Sequence, residues 1–428
     1  MPVAPRPVSV SGAVTAGVLH VALPAADLLL KQKSGVPLVS LAVYRRRSVP
    51  DTAATSGLGA LAVRSAVRGA GELDAGALAV AFERLGGALS PMASADWFGF
   101  GTSVLADAAG PAAVLLDLVL RAPTLAPDQV ARERATLAEE AAQAADDMVR
   151  YPIELALRAA FGDGRYGLPG HGLPEAIPTL TDAMVREWHA TELGRGRTTV
   201  VAAGDLEPER LAEVLAGLFA AGPSREPAPV GMPGAWRAGE DGPVASVVPR
   251  AKRQTGLTVL FPGPARSDAD RHAAEVWAAI ASGLGGRLFT ALREERSLAY
   301  SVLASSWQRA GAGALLLYLA TSPEREGEAR DALLAELARF RDRAPDPDEL
   351  ARAINYLAGQ ALVQRQTAGA VAGEIADAWL MGEGLDELAD PAAPFRAVTG
   401  EQVRAMAAVY LDPQRRVEGI VRGEPGGA

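Results

Sequence analysis

The side chains that most often carry hydrolytic or redox chemistry are scarce in this sequence. It contains no cysteine, which excludes disulfides, thiolate catalysis and thiolate-bound zinc. It contains four histidines, at His20, His171, His189 and His272. No two of them lie three to five residues apart, so no helix can present a histidine pair to a metal ion. We therefore expect His171 and His189 to be structural or surface residues.

Arg293 and Tyr300 form the pair of side chains that could act on a peptide. They lie in the segment "ALREERSLAYSVLASS", which predicts a helix ending near Ser297 and a strand after it. An arginine can clamp a peptide carbonyl or carboxylate, and a tyrosine hydroxyl can stabilise an oxyanion. The residues alone leave a second interpretation open, in which Arg293 is a surface arginine and Tyr300 a core aromatic.

Other catalytic signatures are weak or missing. "GLGALA" (57–62) matches the Gly-x-Gly-x-x-Ala form of a dinucleotide fingerprint weakly, because a loop precedes it where a buried strand is required. "GLGGR" (283–287) lacks the lysine and hydroxyl residue that complete a phosphate-binding loop. The sequence has no Gly-x-Ser-x-Gly elbow.

The composition of the chain indicates a globular protein and argues against nucleic-acid binding and membrane spans. The chain has 428 residues, of which 49% are hydrophobic and 22% charged, and this is typical of a globular protein. Its net charge of −9 argues against nucleic acid as a partner. No run of about 18 apolar residues predicts a membrane span. The N-terminus lacks signal-peptide features, which favours the cytoplasm, or the periplasm if the N-terminus was trimmed.

The sequence carries a weak internal repeat. "PDQVAR" (127–132) and "PDELAR" (347–352) both open helical stretches, 220 residues apart. "TDAMVREWHATEL" (181–193) and "TGEQVRAMAAVYL" (399–411) resemble each other at nearly the same offset, and each is followed by a strand-like run. The chain is therefore interpreted as two copies of one pattern.

The repeat predicts two similar domains, 1–219 and 247–428, joined by a linker rich in proline and glycine at 220–246. Strands and helices mix without strict alternation. This favours an α+β fold, in which each domain has a mostly antiparallel sheet with helices packed on one face. Within the first domain, the strands predicted in 25–33 and 36–46 are expected to form a hairpin.

The sequence resembles the pitrilysin/insulysin-type metallopeptidases, a family that includes mitochondrial processing peptidase. The resemblance covers nearly the whole chain. The stretches that carry it are "SGLGALAVRS", "ERATLAEEAAQAADD", "YGLPGHG" and "GLGGRLFTALREERSLAYSV". The last is the most specific, and it implies that Arg293 and Tyr300 contact substrate.

The resemblance also shows what is missing. Active members carry His-x-x-Glu-His on the first helix, where two imidazoles grip Zn²⁺ and the glutamate activates a bound water. Ala60 and Arg64 occupy the histidine positions, and Val63 occupies that of the glutamate. Alanine and valine have no lone pair to donate, and arginine is a permanent cation. Glu140 falls at the distal ligand position, where we expect a solvated helix carboxylate with no metal role.

These observations predict a chain that is inactive alone and binds neither zinc nor another cofactor. We expect a half-site subunit of a heterodimeric zinc metallopeptidase, which helps to enclose a peptide and supplies Arg293 and Tyr300 to a homologous partner that carries the zinc. The alternative is a non-enzymatic homodimer that binds peptides or acts as a scaffold.

Overall fold

The computed structural model describes residues 8–193, 196–220, 236–238, 242–283 and 285–425. Two compact units divide the chain, and neither is continuous in sequence. The first takes its described residues from the segments Met1–Ala141, Gly170–Gly231 and Val363–Ala389. The second takes its described residues from the segments Ala142–Pro169, Met232–Leu362 and Asp390–Ala428.

The strands of the described residues are β1 Ala13–Thr15, β2 Val18–Ala22, β3 Ala26–Gln32, β4 Leu38–Arg46, β5 Gly69–Ala70, β6 Leu73–Asp74, β7 Ser90–Ala93, β8 Trp97–Leu105, β9 Thr198–Gly204, β10 Val244–Pro249, β11 Thr255–Gly263, β12 Ser301–Gln308, β13 Gly313–Thr321 and β14 Val417–Arg422. The helices are α1 Leu58–Ala66, α2 Ala75–Glu83, α3 Ala109–Arg121, α4 Pro127–Asp146, α5 Arg150–Phe161, α6 Asp182–Trp188, α7 Pro208–Phe219, α8 Arg271–Ala281, α9 Glu326–Asp342, α10 Pro347–Val363, α11 Ala368–Leu380, α12 Ala393–Arg396 and α13 Gly400–Tyr410.

The sheets of the two units have five strands in the same order, and the first sheet adds β1 and β2 at one edge. In the first unit the strand order is β1-β2-β3-β9-β4-β8-β7, and in the second it is β10-β14-β11-β13-β12. Each sheet has a single parallel pair, β3 with β9 or β10 with β14, and its other pairs are antiparallel. The predicted α+β class with two similar, mostly antiparallel domains is therefore confirmed.

The helices of the repeat begin where the sequence predicted. Helices α4 and α10 start at the two proline residues, Pro127 and Pro347. The side chains of Thr181 and Thr399 cap α6 and α13 by accepting a hydrogen bond from the backbone N–H of the third residue of the helix. Such caps stabilise a helix by about 1 kcal/mol.

The main core of each unit lies between its sheet and a layer of helices. In the first unit α1, α3, α4 and α7 bury their apolar faces against β3, β4, β8 and β9. In the second unit α8, α9 and α13 do so against β11 and β13. Because alternate strand residues point to opposite faces, this layer of helices contacts only half of the side chains of each strand.

A single helix covers the other face of each sheet, and it comes from the other half of the sequence. Helix α11 packs on the first sheet, where Val371 and Ile375 join a cluster with Leu29 and Val201. Helix α5 packs on β14 and β11 of the second sheet. This contact requires glycine at position 419, because a Cβ there would overlap the carbonyl oxygen of Pro152.

The compact units consequently cut across the predicted ranges 1–219 and 247–428, because α5 and α11 each pack on the sheet of the opposite half. Those ranges stay a prediction about the halves of the repeat. Most of the predicted linker at 220–246 lies outside the described residues, and its last three residues already belong to β10.

The predicted hairpin is wrong. Strands β3 and β4 are not neighbours, because β9 lies between them, parallel to β3 and antiparallel to β4. Strand β9 is buried along its whole length, and a strand of Val and Ala with two covered faces fits the middle of a sheet.

We predict that Ile375→Ala lowers the free energy of unfolding of the first unit by about 2–5 kcal/mol. Ile375 is 1% exposed within the cluster that joins α11 to the sheet, so truncation leaves a cavity. Urea denaturation followed by tryptophan fluorescence measures the change. Val363→Ala is the matched control, since Val363 is 52% exposed and should shift the midpoint little. Equal shifts in the two variants would contradict a structural role for α11 on this sheet.

Candidate functional site

Helix α1 is positioned by a tight contact at its N-terminus. Gly57 caps the helix with φ +94°, a backbone conformation that favours glycine. Gly172, with φ +91°, packs so closely that a Cβ on it would lie 2.7 Å from the Gly57 Cα. The hydroxyl of buried Ser56 accepts a hydrogen bond of 3.1 Å from the Leu173 N–H. The start of α1 is thus fixed by backbone contacts that no larger residue at Gly172 would permit.

The face of α1 that stays partly open carries Ala60 and Arg64, one turn apart. Val63 points elsewhere, since it is 1% exposed and belongs to the core cluster of the first unit. Of the three positions that would carry the zinc chemistry, one holds a methyl group, one faces the core and one holds a guanidinium.

Arg64 binds two carboxylates of α4. Its Nη1 and Nη2 donate to Oε2 and Oε1 of Glu140 at 2.8 and 2.9 Å, and its Nε donates to Glu133 Oε2 at 3.0 Å. Arg68, one turn further along, donates from Nε to the other oxygen of Glu133 at 2.6 Å. We call these four residues the arginine–glutamate cluster. Its two cations and two anions balance.

Burial makes Glu133 the central member of the cluster. The Glu133 side chain is 6% exposed, against 25% for Arg64, 41% for Glu140 and 48% for Arg68. A buried carboxylate is costly unless it is paired with a cation. The hydrogen-bonded carboxylate of Glu140 raises the pKa of the Arg64 guanidinium above its ordinary value, and Glu133 acts in the same direction. Arg64 is therefore a cation at neutral pH.

The structure corrects one expectation and adds one residue. Glu140 is not simply a solvated carboxylate, because its two oxygens form a bidentate pair with Arg64. The sequence analysis did not identify Glu133 as a member of this site. Its position could have indicated it, because Glu133 lies seven residues before Glu140, two turns back on the same face of a helix.

The donor atoms of this pocket do not suit zinc. A Zn²⁺ ion beside Glu140 would have to share its place with the Arg64 guanidinium, and neither Ala60 nor Val63 offers a ligand. Among the described residues, no three His, Asp or Glu side chains form a group that could hold a metal.

His189 has a structural environment. Its Nε2 lies 3.1 Å from the carbonyl oxygen of Leu120, and burial lowers the pKa of the imidazole. This supports the structural role that the sequence predicted for it. The imidazole of His171 also interacts with neighbouring groups, so it is not an isolated side chain.

Arg293 and Tyr300, the two residues predicted to contact substrate, lie at the surface of the second unit. Arg293 belongs to the π-helical turn Phe289–Glu294, is exposed, and holds its guanidinium carbon 5.0 Å from the centroid of the Phe289 ring. Tyr300 is 67% exposed and immediately precedes β12. The alternative in which Tyr300 is a core aromatic is therefore wrong. Contact of Arg293 or Tyr300 with substrate stays a prediction.

The turn between Arg293 and Tyr300 is held in place by a residue that the sequence did not reveal. Ser297 has φ +50°, which is uncommon for a residue other than glycine. Arg325 donates from Nη1 to the Ser297 carbonyl at 2.8 Å and from Nη2 to the Arg296 carbonyl at 3.2 Å. The hydroxyl of buried Thr321 donates to the Leu298 carbonyl at 2.6 Å. Three consecutive carbonyl groups are thus fixed from outside the turn.

Comparison with known proteins identifies relatives of the chain. A family model described as the peptidase M16 inactive domain matches residues 179–357. The chain resembles the M16 peptidases. This confirms the predicted resemblance to pitrilysin-type enzymes and places its recognisable part on the inactive domain of that family.

Two relatives and one solved structure illustrate the likeness. An uncharacterized zinc protease of Streptomyces coelicolor is 28% identical over 281 residues, 64% of this chain and 61% of the relative. An uncharacterized zinc protease of Mycobacterium tuberculosis is 30% identical over 249 residues, 58% of this chain and 57% of the relative. A crystal structure of an M16 inactive domain from Pseudomonas fluorescens superimposes with a TM-score of 0.82 at 21% identity, covering 98% of both chains.

The chain therefore spans less than two thirds of the length of the curated relatives it matches, and their zinc-protease names describe those proteins. The structural match to the M16 inactive domain establishes the fold. None of the described helices has the length and apolar composition needed to cross a bilayer.

We predict that Glu133→Gln lowers the free energy of unfolding by about 1–3 kcal/mol, because Arg64 and Arg68 lose the charge of a buried partner. Glu140→Gln should cost less than about 1 kcal/mol, since Glu140 is 41% exposed. Urea denaturation measures both values. Glu139→Gln is the control, an exposed neighbour expected to change nothing. A larger loss for Glu140→Gln than for Glu133→Gln would show that burial does not rank the two carboxylates.

We predict that the double substitution Ala60→His and Arg64→His creates a site for one Zn²⁺, whereas the unaltered chain takes up none. The two positions are one turn apart on α1, and Glu140 already meets the side chain at position 64. Atomic emission after dialysis against zinc measures the metal content. Adding Glu140→Gln to the double variant should weaken binding. Stoichiometric zinc at this pocket of the unaltered chain would contradict our description of the cluster.

Proposed function

We propose that this chain is the non-catalytic subunit of a two-chain zinc metallopeptidase. Its partner is a homologous chain that carries His-x-x-Glu-His. The two chains together enclose a peptide, which is the ligand of the complex. The single observation that carries the proposal is the arginine–glutamate cluster, in which Arg64 takes the place that a zinc ion would need beside Glu140.

The arginine–glutamate cluster supports the proposal that this chain does not hydrolyse peptides by itself. A chain that had merely lost one ligand would leave the carboxylates of α4 available to a metal. Here both carboxylates are bound by a guanidinium, with Glu140 in bidentate geometry, which is the strongest arrangement for such a pair. A zinc-dependent peptidase activity in which the chain takes part would therefore use a zinc site from another polypeptide.

The segment that carries Arg293 and Tyr300 supports a contribution to peptide binding. Both side chains are exposed, and their turn is held by Arg325 and Thr321. A fixed arginine can clamp a carbonyl or carboxylate of the peptide, and a fixed tyrosine hydroxyl can donate to an oxyanion. Preorganised donors of this kind stabilise a transition state without further ordering.

The test is co-expression with the homologue from the same organism that carries His-x-x-Glu-His. We expect the two chains to co-purify as a heterodimer and to cleave a quenched fluorogenic peptide library faster than the partner alone. In the complex, Tyr300→Phe should lower kcat by about 100-fold if its hydroxyl donates to the oxyanion. Arg293→Ala should raise KM or lower kcat/KM by about tenfold or more.

Two controls separate these effects from general damage. Arg296→Ala removes an exposed arginine of the same turn, and Tyr356→Phe removes the hydroxyl of a tyrosine that is 60% exposed elsewhere in the second unit. Both should leave cleavage unchanged. The proposal is refuted if the chain forms a homodimer and does not bind the zinc-bearing homologue. It is also refuted if Arg293→Ala and Tyr300→Phe leave cleavage by the complex unchanged. Either result would favour a peptide-binding or scaffold protein.

A further inference from the structure

The side chain of Arg325 attaches the turn between Arg293 and Tyr300 to the rest of the second unit. Its guanidinium donates from Nη1 to the Ser297 carbonyl at 2.8 Å and from Nη2 to the Arg296 carbonyl at 3.2 Å. These carbonyls are consecutive in the chain, and the planar fork of an arginine can donate to both at once. We call the Arg325 guanidinium and the two carbonyls the carbonyl clamp.

The peptide groups held by the carbonyl clamp also hold the residues before them. The carbonyl of Arg296 shares one peptide group with the N–H of Ser297, which donates to the Arg293 carbonyl at 3.1 Å. The carbonyl of Ser297 shares the next peptide group with the N–H of Leu298, which donates to the Leu292 carbonyl at 2.7 Å. Because a peptide group is planar and rigid, fixing its oxygen also fixes the direction of its N–H. The carbonyl clamp therefore orients the backbone of Leu292 and Arg293.

The backbone at this junction has a conformation that needs support from outside. Ser297 has φ +50°, and residues other than glycine seldom adopt a positive φ. The residues Phe289–Glu294 form a π-helical turn, which is a rare conformation. Such backbone persists only where surrounding contacts hold it. The carbonyl clamp supplies these contacts where the π-helical turn meets the residues that lead into β12.

Arg325 is itself anchored to the centre of the second sheet. Strand β13 lies between β11 and β12 and is buried along its whole length. Arg325 ends the 3₁₀ turn Pro323–Arg325, which follows β13 after one residue, and its backbone N–H donates to the Ser322 carbonyl at 3.0 Å. The Nε of Arg325 donates to Glu328 Oε2 at 3.1 Å, which orients the guanidinium from α9. The guanidinium is thus fixed independently of the turn that it holds.

We infer that Arg325 is a positioning residue for the contact between Arg293 and substrate. The inference rests on the proposed function, because it names a residue that supports the same site. Arg325 acts through the backbone from which the Arg293 side chain extends and needs no contact with the peptide itself. Tyr300 depends less on the carbonyl clamp, since its own N–H joins the sheet by donating to the Ala320 carbonyl at 3.0 Å.

The carbonyl clamp can be tested on the isolated chain by hydrogen–deuterium exchange with mass spectrometry. In Arg325→Ala the amides of Ser297 and Leu298 should exchange about tenfold faster, because their peptide groups lose the bonds of a charged donor. Arg325→Lys has no planar fork and should give an intermediate rate. Thermal melting checks that each variant is folded.

Arg404→Ala is the matched control. Arg404 also pairs with a glutamate three residues away, and its side chain is 35% exposed against 38% for Arg325. Its hydrogen bonds go to the Glu401 carboxylate and, among the described residues, to no backbone carbonyl. Arg404→Ala should therefore leave exchange of the turn unchanged.

In the complex with the zinc-bearing homologue, Arg325→Ala should lower kcat/KM by about three- to tenfold, mainly through KM, since Arg293 is proposed to bind substrate. In a chain that already carries Arg293→Ala, the same change should have little further effect, because Arg325 acts through Arg293. A residue with a merely structural role would lower kcat/KM by the same factor in both backgrounds. Arg404→Ala should leave KM and kcat unchanged.

The inference is overturned if Arg325→Ala leaves the exchange of Ser297 and Leu298 unchanged. It is also overturned if Arg325→Ala lowers kcat/KM by the same factor with and without Arg293. Failure of the two chains to co-purify is a different outcome. It would refute the proposed function and with it the role toward substrate, whereas the exchange measurement would still decide whether the carbonyl clamp holds the turn.

Discussion

The pairing of Arg64 with Glu133 and Glu140 is the interaction on which the chemistry of the first unit depends. Glu133 is almost wholly buried, and a carboxylate in that position needs a cation beside it. A divalent metal and a guanidinium both meet this need, but they cannot occupy the same place. By supplying the cation from α1, the chain satisfies the carboxylates of α4 permanently, and the same bonds that stabilise the fold close the pocket to zinc.

The position of this cluster follows from the packing of the repeat. Helices α1 and α4 lie in one layer over the first sheet, and the contact between Gly57 and Gly172 fixes where α1 begins. The other face of each sheet is completed by a helix from the opposite half of the sequence. Each compact unit thus needs residues from both halves, so neither half of the repeat contains the complete set of helices that its own sheet buries.

Much of this could be predicted from the sequence because it depends on local signals. The proline starts of α4 and α10 and the threonine caps of α6 and α13 all act over a few residues. The failures are non-local. The expected hairpin of β3 and β4 ignored a strand that arrives more than 150 residues later, and the pairing of Glu133 with Arg64 required knowing that α4 crosses α1. Likewise, an isolated tyrosine gives no sign of whether it faces the core, and Tyr300 proved exposed.

The same reasoning explains why an arginine, and not an apolar residue, is suited to the second histidine position. An alanine or leucine at position 64 would leave Glu133 with Arg68 alone, and the Arg68 side chain is 48% exposed. It would also leave Glu140 without its bidentate partner. A cluster with two anions and one cation in a partly buried site favours protonation of a carboxylate or capture of a cation from solution. Arg64 prevents both outcomes, so the charge balance that stabilises the fold also keeps a metal ion away from Glu133 and Glu140.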